Sequence, residues 1–205
     1  MPNLASNDRV APDAIGGRLD FDVRRALPII RWVMIGAVAV ALVPFYAPSA
    51  TAEELTGKVV RVADGDTVTV LTSDKQEVRV RLAGIDAPEK KQPYSNRSKQ
   101  NLFRLTHGKE VRADCHKTDR YGRKICKVWV QPQDCPRCEK TVEVGHAQIV
   151  AGLAWWYRKY GKEQSEEDRG LYIRAENEAR SRQRGLWADA APVPPWEYRQ
   201  AGRSQ

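Results

Sequence analysis

Three short charged segments, well separated along the chain, carry the residue types that hydrolysis of a phosphate ester needs. Residues 64–67 (DGDT) place two carboxylates in a tight turn, and residues 81–89 (RLAGIDAPE) place an arginine before two more. Residues 119–123 (DRYGR) form a second turn that ends in an arginine. Carboxylates suit hard divalent cations, and guanidinium groups bind phosphate oxygens in pairs. DGDT alone is an ordinary hairpin turn, but three separate turns that each carry charged groups are harder to explain as turns alone.

The elements that must position these segments are short strands followed by helices. Three runs of alternating β-branched residues fall within residues 56–82 and are broken at the DGD turn and at a polar turn. Further elements are predicted as strands near residues 110–116 and 124–130, and as helices over residues 95–107, 144–151 and 165–185. This order predicts an α+β fold, a five-stranded OB-type β-barrel with about three helices packed against it.

The last of these helices carries the clearest sequence signals. Ser165 and Asp168 form a start that resembles a capping box, because the serine hydroxyl can accept the amide three residues later. Leu171, Ala175 and Ala179 recur at helical spacing and predict the stripe that faces the barrel.

The three charged segments, in this order, resemble the catalytic motifs of the staphylococcal nuclease family. The similarity continues through residues 152–154 (GLA) and 185–187 (GLW), so that it covers residues 57–187. The resemblance implies a calcium-dependent nuclease that hydrolyses phosphodiester bonds in DNA, RNA or both. We assign this activity to a domain over residues 53–188.

The resemblance also implies a calcium site made of oxygen donors. By this resemblance Asp66 and Asp86 are calcium ligands, Ala87 supplies a backbone carbonyl, and Asp64 supports the ion from nearby. A threonine is usual in the family where this chain has Ala87. The change removes a hydroxyl but leaves the carbonyl, so we expect metal binding to survive.

The remaining roles implied by the resemblance concern the substrate. Glu89 activates water, and Arg81 and Arg123 bind the scissile phosphate. Tyr121 and Tyr160 fall at positions near the bound nucleotide. An arginine presents a planar fork that lysine cannot copy, which agrees with the two phosphate-binding roles.

Other titratable residues receive structural interpretations. Asp119 is predicted to shape the DRYGR turn through its side chain, since Asp favours that role in turns. His107, His116 and His146 match no motif and receive no catalytic role.

Four cysteines suggest disulfides, because disulfides are typical of exported chains. Cys115 and Cys126 lie symmetrically about the centre of the DRYGR turn and would face each other in a hairpin. Cys135 and Cys138 could close a short loop. Two alternatives for this CPRC motif are half of a zinc site, although no second half is present, and a redox-active pair.

The two ends of the chain are predicted to lie outside the barrel. Residues 1–52 combine arginines, a short apolar run and small residues near position 52, which is typical of a signal peptide. The prediction is an exported protein, periplasmic or secreted. The alternative is an uncleaved membrane anchor with the nuclease domain outside the cytoplasm. Residues 189–205 form a Pro-rich tail, expected to be extended with Trp196 docked on the body.

A formal net charge of +8 favours polyanionic partners, and both nucleic acid and an anionic membrane fit that bias. DNA or RNA is the predicted partner, and no obligate protein partner is inferred. A noncatalytic nucleic-acid-binding module of the OB type is the main alternative, and a metal or redox protein built on CPRC is another. The enzyme is favoured because all five key charged side chains are present, namely Asp66, Arg81, Asp86, Glu89 and Arg123.

Overall fold

A closed five-stranded barrel forms the body of the chain in a computed structural model that describes residues 53–203. The predicted signal segment, residues 1–52, lies outside the described residues. The strands, in chain order, are β1 (Glu53–Val62), β2 (Thr67–Leu71), β3 (Glu77–Leu82), β4 (Ile85–Asp86), β5 (Glu110–Thr118), β6 (Lys124–Val130), β7 (Val142–Glu143) and β8 (Trp155–Trp156). Within residues 53–203, none of the helices is both long enough and apolar enough to cross a membrane.

The barrel closes through a single parallel pairing. Antiparallel pairs run in the order β3-β2-β1-β5-β6, and β3 then pairs with β6 in parallel. In that pairing Arg81 lies opposite Ile125, and Leu82 lies opposite Cys126. The predicted five-stranded OB-type barrel is confirmed.

Alternation along the strands builds the core, because every second side chain points to the same face of a strand. The residues that alternation turns inward are less than 2% exposed: Val59, Val68, Val70, Val80, Leu82, Val111 and Val128. Full burial of one such side chain is worth about 1.5–3 kcal/mol, so this set provides the main support for the barrel.

Within residues 53–203, four α-helices accompany the barrel, one more than expected. They are α1 (Ser95–Thr106), α2 (Val144–Val150), α3 (Glu166–Ser181) and α4 (Pro195–Ala201). Two 3-10 turns, Arg158–Glu163 and Gly185–Ala188, link the later helices. At the end of α2, Gly152 has a φ of 65°, and a Cβ there would meet the backbone of Arg184. This close approach accounts for the glycine.

The prediction of an extended tail is wrong over α4. Pro195 lies in the first turn of α4, where proline is favoured because its φ is already helical and its missing N–H needs no partner. Trp196 docks as predicted. Its ring stacks on Tyr157 at 5.5 Å between centroids and meets Trp155 edge-on at 5.8 Å. Only residues 189–194 of the tail remain non-helical before α4.

Helix α3 starts as predicted but differs in its buried face and its end. The hydroxyl of Ser165 accepts a hydrogen bond from the amide of Asp168 at 3.1 Å, which confirms the cap. The helix ends at Ser181, short of Gly185. Leu171 is exposed, and the buried positions are Tyr172, Ala175, Glu176 and Ala179. Ala175 and Ala179 of the predicted stripe are thus buried, and polar contacts accompany them: the Glu176 carboxylate accepts the Trp156 amide, and the Tyr172 hydroxyl donates to Glu143.

Both predicted disulfides are present. Cys115 and Cys126 are directly paired in the register of β5 and β6, and their disulfide joins these strands. Cys135 and Cys138 close a loop between β6 and β7. The zinc alternative for CPRC is wrong, because both sulfurs are used in the disulfide.

Candidate active site

The DGDT turn lies between β1 and β2 and is held by two helices. A Cβ at Gly65 would collide with Ser98 of α1 and with Ala87, so only glycine fits. The side-chain amide of Gln148, in α2, donates to the Gly65 carbonyl at 2.6 Å. These contacts fix the backbone just before Asp66, whose side chain is buried.

Arg81, on β3, bridges two buried carboxylates. Its Nη1 donates to Asp66 Oδ2 at 2.7 Å, and its Nη2 donates to Asp86 Oδ1 at 2.8 Å. The carboxylates are only 4% and 1% exposed, whereas the arginine side chain is 17% exposed. Burial alone would lower the pKa of Arg81, but Asp66 and Asp86 outweigh it and raise that pKa above its usual range. The guanidinium therefore stays charged and neutralises both acids.

Asp66 makes further hydrogen bonds that fix its orientation. Its Oδ1 accepts from the Thr67 hydroxyl at 2.8 Å, and its Oδ2 accepts from the Ala87 amide at 3.1 Å. Asp64 Oδ1 accepts from the Asp66 amide at 3.1 Å. Burial and the nearby charge of Asp66 raise the pKa of Asp64 to about 6. Through its bond with the Asp66 amide, Asp64 supports the turn that carries Asp66.

Another arginine, which no sequence motif indicated, contacts these carboxylates. Arg199, on α4, places Nη2 at 2.7 Å from Asp86 Oδ2 and Nη1 at 2.6 Å from Glu89 Oε1. Burial raises the pKa of Asp86 even though Arg199 and Arg81 act in the opposite direction. Burial also opposes the charged form of Arg199, but its bonds to Asp86 and Glu89 prevail and raise the pKa of the guanidinium. The helix-start signal at residues 194–195 could have revealed α4, but not its docking site.

Arg123 lies at the end of the hairpin turn between β5 and β6 and is paired locally. Its Nε and Nη2 contact Asp119 Oδ2 at 2.8 and 2.7 Å. Asp119 Oδ1 accepts the amides of Tyr121 and Arg123, both at 2.9 Å, which confirms its predicted role in shaping the turn. Burial opposes ionisation of Asp119, but the bonds from Arg123 and Tyr121 together prevail and lower its pKa. Arg123 Nη1 lies 3.5 Å from the Thr67 hydroxyl, beside the DGDT turn.

One open cleft of about 1400 Å³ brings the sequence-predicted residues together. The predicted residues that line it are Asp64, Asp66, Arg81, Ala87, Glu89, Tyr121, Arg123 and Tyr160. Asp86 lies beneath its floor and is fully buried. Tyr121 and Tyr160 are exposed rings at 62% and 38%, with Arg123 and Lys117 lying over their respective faces. The cleft thus offers positive charge and flat apolar faces next to the carboxylates.

The donor set suits a hard divalent cation. Asp66 and Asp86 each bind the same guanidinium, so a single positive group already bridges them. Carboxylate and carbonyl oxygens favour calcium or magnesium, and no sulfur or histidine is present among these donors to favour zinc. Among residues 53–203, no three Asp, Glu, His or Cys side chains converge on one point as cation ligands. A cation here would therefore need backbone carbonyl or water oxygens as well.

Comparison with known proteins agrees with this geometry. Residues 79–189 match the family described as staphylococcal nuclease homologue. The chain is 40% identical over 182 residues to Protein ParB of Escherichia coli, covering 89% of this chain and 97% of that protein. It is 36% identical to a micrococcal nuclease of Shigella flexneri, with 89% and 98% covered, and 42% identical to an uncharacterized endonuclease of Escherichia coli O157:H7, with 71% and 86% covered. The chain therefore belongs to the staphylococcal nuclease family.

Proposed function

We propose that this chain is a calcium-dependent nuclease that hydrolyses phosphodiester bonds in DNA, RNA or both. The observation that carries the proposal is the convergence of Arg81, Glu89 and Arg123 on one cleft, beside the paired carboxylates Asp66 and Asp86. The names of two relatives, a micrococcal nuclease and an endonuclease, support the same activity.

A phosphodiester is anionic and repels a nucleophile, so the site must supply positive charge and a base. Asp66, Asp86 and the Ala87 carbonyl would hold calcium, which when bound offers positive charge to a phosphate oxygen and lowers the pKa of a coordinated water. Asp64 would support these ligands by holding the Asp66 amide.

Glu89 is the base in this proposal. Its side chain is 40% exposed on the cleft and stands next to Asp86 through their shared partner Arg199. Glu89 takes a proton from water as the water oxygen bonds to phosphorus. The opposite phosphorus–oxygen ester bond breaks, and the leaving oxygen takes a proton from solvent. Catalysis by such a base contributes about 10²–10⁴ in rate.

Arg81 and Arg123 would bind the scissile phosphate from two sides of the cleft. Guanidinium groups bind phosphate oxygens bidentately, and one such donor is worth about 3–4 kcal/mol when charge develops in the transition state. Tyr121 and Tyr160 would contact the nucleotide with their exposed rings. Phosphate binding alone would also suit a noncatalytic binder, but a binder has no need of Glu89.

The decisive experiment compares wild type with Glu89→Gln on DNA and RNA, in calcium and then in excess chelator. We expect cleavage in calcium only, and a loss of turnover of about 10²–10⁴ in Glu89→Gln with little change in nucleotide binding. Glu166→Gln is the matched control, because Glu166 is 95% exposed and outside the cleft.

Three results would contradict parts of the proposal. Binding without cleavage by wild type would favour the noncatalytic module. Full activity in chelator would exclude the calcium requirement. A folded Glu89→Gln protein that cuts at the wild-type rate would remove Glu89 from the mechanism.

We also propose that the protein is exported, to the periplasm or the medium. Two disulfides among the described residues support this, because such bonds persist in oxidising compartments. The alternative is a membrane-anchored form with the nuclease domain outside the cytoplasm. N-terminal sequencing of the exported protein decides: a start near residue 53 supports cleavage, and retention of the earlier residues supports the anchor.

A further inference from the structure

Arg199 occupies the two acidic groups that the proposed reaction needs most. Its Nη2 lies 2.7 Å from Asp86 Oδ2, and its Nη1 lies 3.3 Å from Asp86 Oδ1 and 2.6 Å from Glu89 Oε1. Arg81 also donates a hydrogen bond to Asp86 Oδ1. Both oxygens of this proposed calcium ligand are therefore in contact with guanidinium groups, and Asp86 is fully buried.

The docking of α4 fixes the position of Arg199. Trp196 stacks on Tyr157, and Pro195 is buried. The side chain of Gln92 joins the segment just before α4 to the Glu89 loop, since its Oε1 accepts the Glu89 amide and its Nε2 donates to the Val193 carbonyl. The loop that carries Glu89 and the segment that carries Arg199 are thus bound together.

A divalent ion would be a third cation at Asp86, which already contacts both Arg81 and Arg199. A divalent ion at Asp86 and a guanidinium in contact with Asp86 would repel each other, and burial weakens the screening that would make such a contact tolerable. Arg81 is the more firmly held of the two arginines, since it also bonds Asp66 and its side chain is only 17% exposed. Arg199 is the cation that can leave, because its side chain is 31% exposed and opens on the cleft.

We propose that Arg199 competes with the divalent cation for Asp86 and thereby sets the cation affinity of the site. Cation binding moves Arg199 away from Asp86 and Glu89, which frees the oxygens of Glu89 to accept a proton. The inference rests on the proposed cation site and goes beyond it, because it assigns control of that site to a helix in the C-terminal segment.

The test is direct measurement of calcium binding by calorimetry, without nucleic acid, for wild type, Arg199→Gln and Arg203→Gln. We expect Arg199→Gln to bind calcium about tenfold more tightly or better, within the range of typical coupling between sites. Arg203 lines the same cleft without contacting Asp86 or Glu89 through any described bond, so Arg203→Gln corrects for the general effect of removing one positive charge. Arg199→Lys keeps the charge but not the fork, and its affinity should lie between those of wild type and Arg199→Gln.

A second measurement uses the reciprocity of such coupling. Calcium should speed amide hydrogen exchange in α4 of wild type, because α4 loses the Arg199 anchor, and should have little effect on Arg199→Gln. Either of two results would overturn this inference and leave the proposed function intact. In the first, Arg199→Gln binds calcium no more tightly than wild type. In the second, wild type binds calcium without any change in the hydrogen exchange of α4. An absence of calcium binding in all variants would overturn the cation site of the proposed function and this inference with it.

Discussion

Arg81 and Arg123 have equally covered side chains, each 17% exposed, yet their partners differ sharply. Arg81 joins two carboxylates that are 4% and 1% exposed and that come from separate parts of the chain. The carboxylate that Arg123 joins is Asp119, four residues away in the same turn and 18% exposed.

The difference shows that the free-energy cost of moving an arginine to a phosphate depends on the carboxylates that it leaves. Release of Arg123 leaves Asp119 with two backbone amide bonds and some access to water. Release of Arg81 would leave Asp66 buried without its ion pair and Asp86 with Arg199 alone, at a cost of several kcal/mol. Arg123 can therefore turn to a phosphate at low cost, whereas Arg81 can do so only when another cation neutralises its two acids.

The largest expected effect is on stability. Arg81→Met should lower the free energy of unfolding by about 3–5 kcal/mol, because it removes the ion pair of the buried Asp66 and leaves Asp86 with Arg199 alone. Urea unfolding followed by circular dichroism measures the loss. Added calcium should recover part of it, since a ligand that binds only the folded state stabilises that state.

The matched control is Arg123→Met, which should cost about 1 kcal/mol or less, as expected for a local and partly exposed ion pair. Equal losses in the two variants would break the comparison. A loss in Arg81→Met that calcium does not change would argue against cation binding at Asp66 and Asp86.

A smaller effect, on turnover rather than stability, is expected at Arg123. Arg123→Lys should reduce turnover by about 10²-fold, because lysine keeps the charge but cannot form the paired bonds to phosphate. Single-turnover cleavage of a defined DNA or RNA substrate measures it. Arg61→Lys is the control, because Arg61 is 65% exposed on β1 and does not line the cleft. Wild-type turnover in folded Arg123→Lys would exclude Arg123 from phosphate binding in the transition state.

Local patterns in the sequence were sufficient for the barrel and for the turn at Arg123. Strand alternation depends on neighbouring residues, so Val68, Val70 and Val80 could be assigned to the core in advance. The turn role of Asp119 and the pairing of Cys115 with Cys126 are equally local, since both arise within one hairpin.

The parts that sequence reasoning missed depend on contacts between distant segments. Arg199 reaches Asp86 only because Trp196 docks on aromatic residues of another segment and Gln92 ties the tail to the Glu89 loop. Leu171 is exposed although the predicted stripe included it, and the buried side of α3 instead includes Glu176, which contacts Trp156 and Arg158. No periodic pattern encodes either contact.

The parallel pairing of β3 with β6 has a consequence for folding kinetics. It aligns Arg81 beside the start of β6, directly after Arg123, although the two strands are far apart in sequence. Pairings of such high contact order are slow to form, because the loop between them must be closed first. The two arginines come together only when this pairing forms, so a newly folding chain with an open barrel has no complete site. We therefore expect the proposed activity to require barrel closure and to be absent from a chain in which this pairing has not formed.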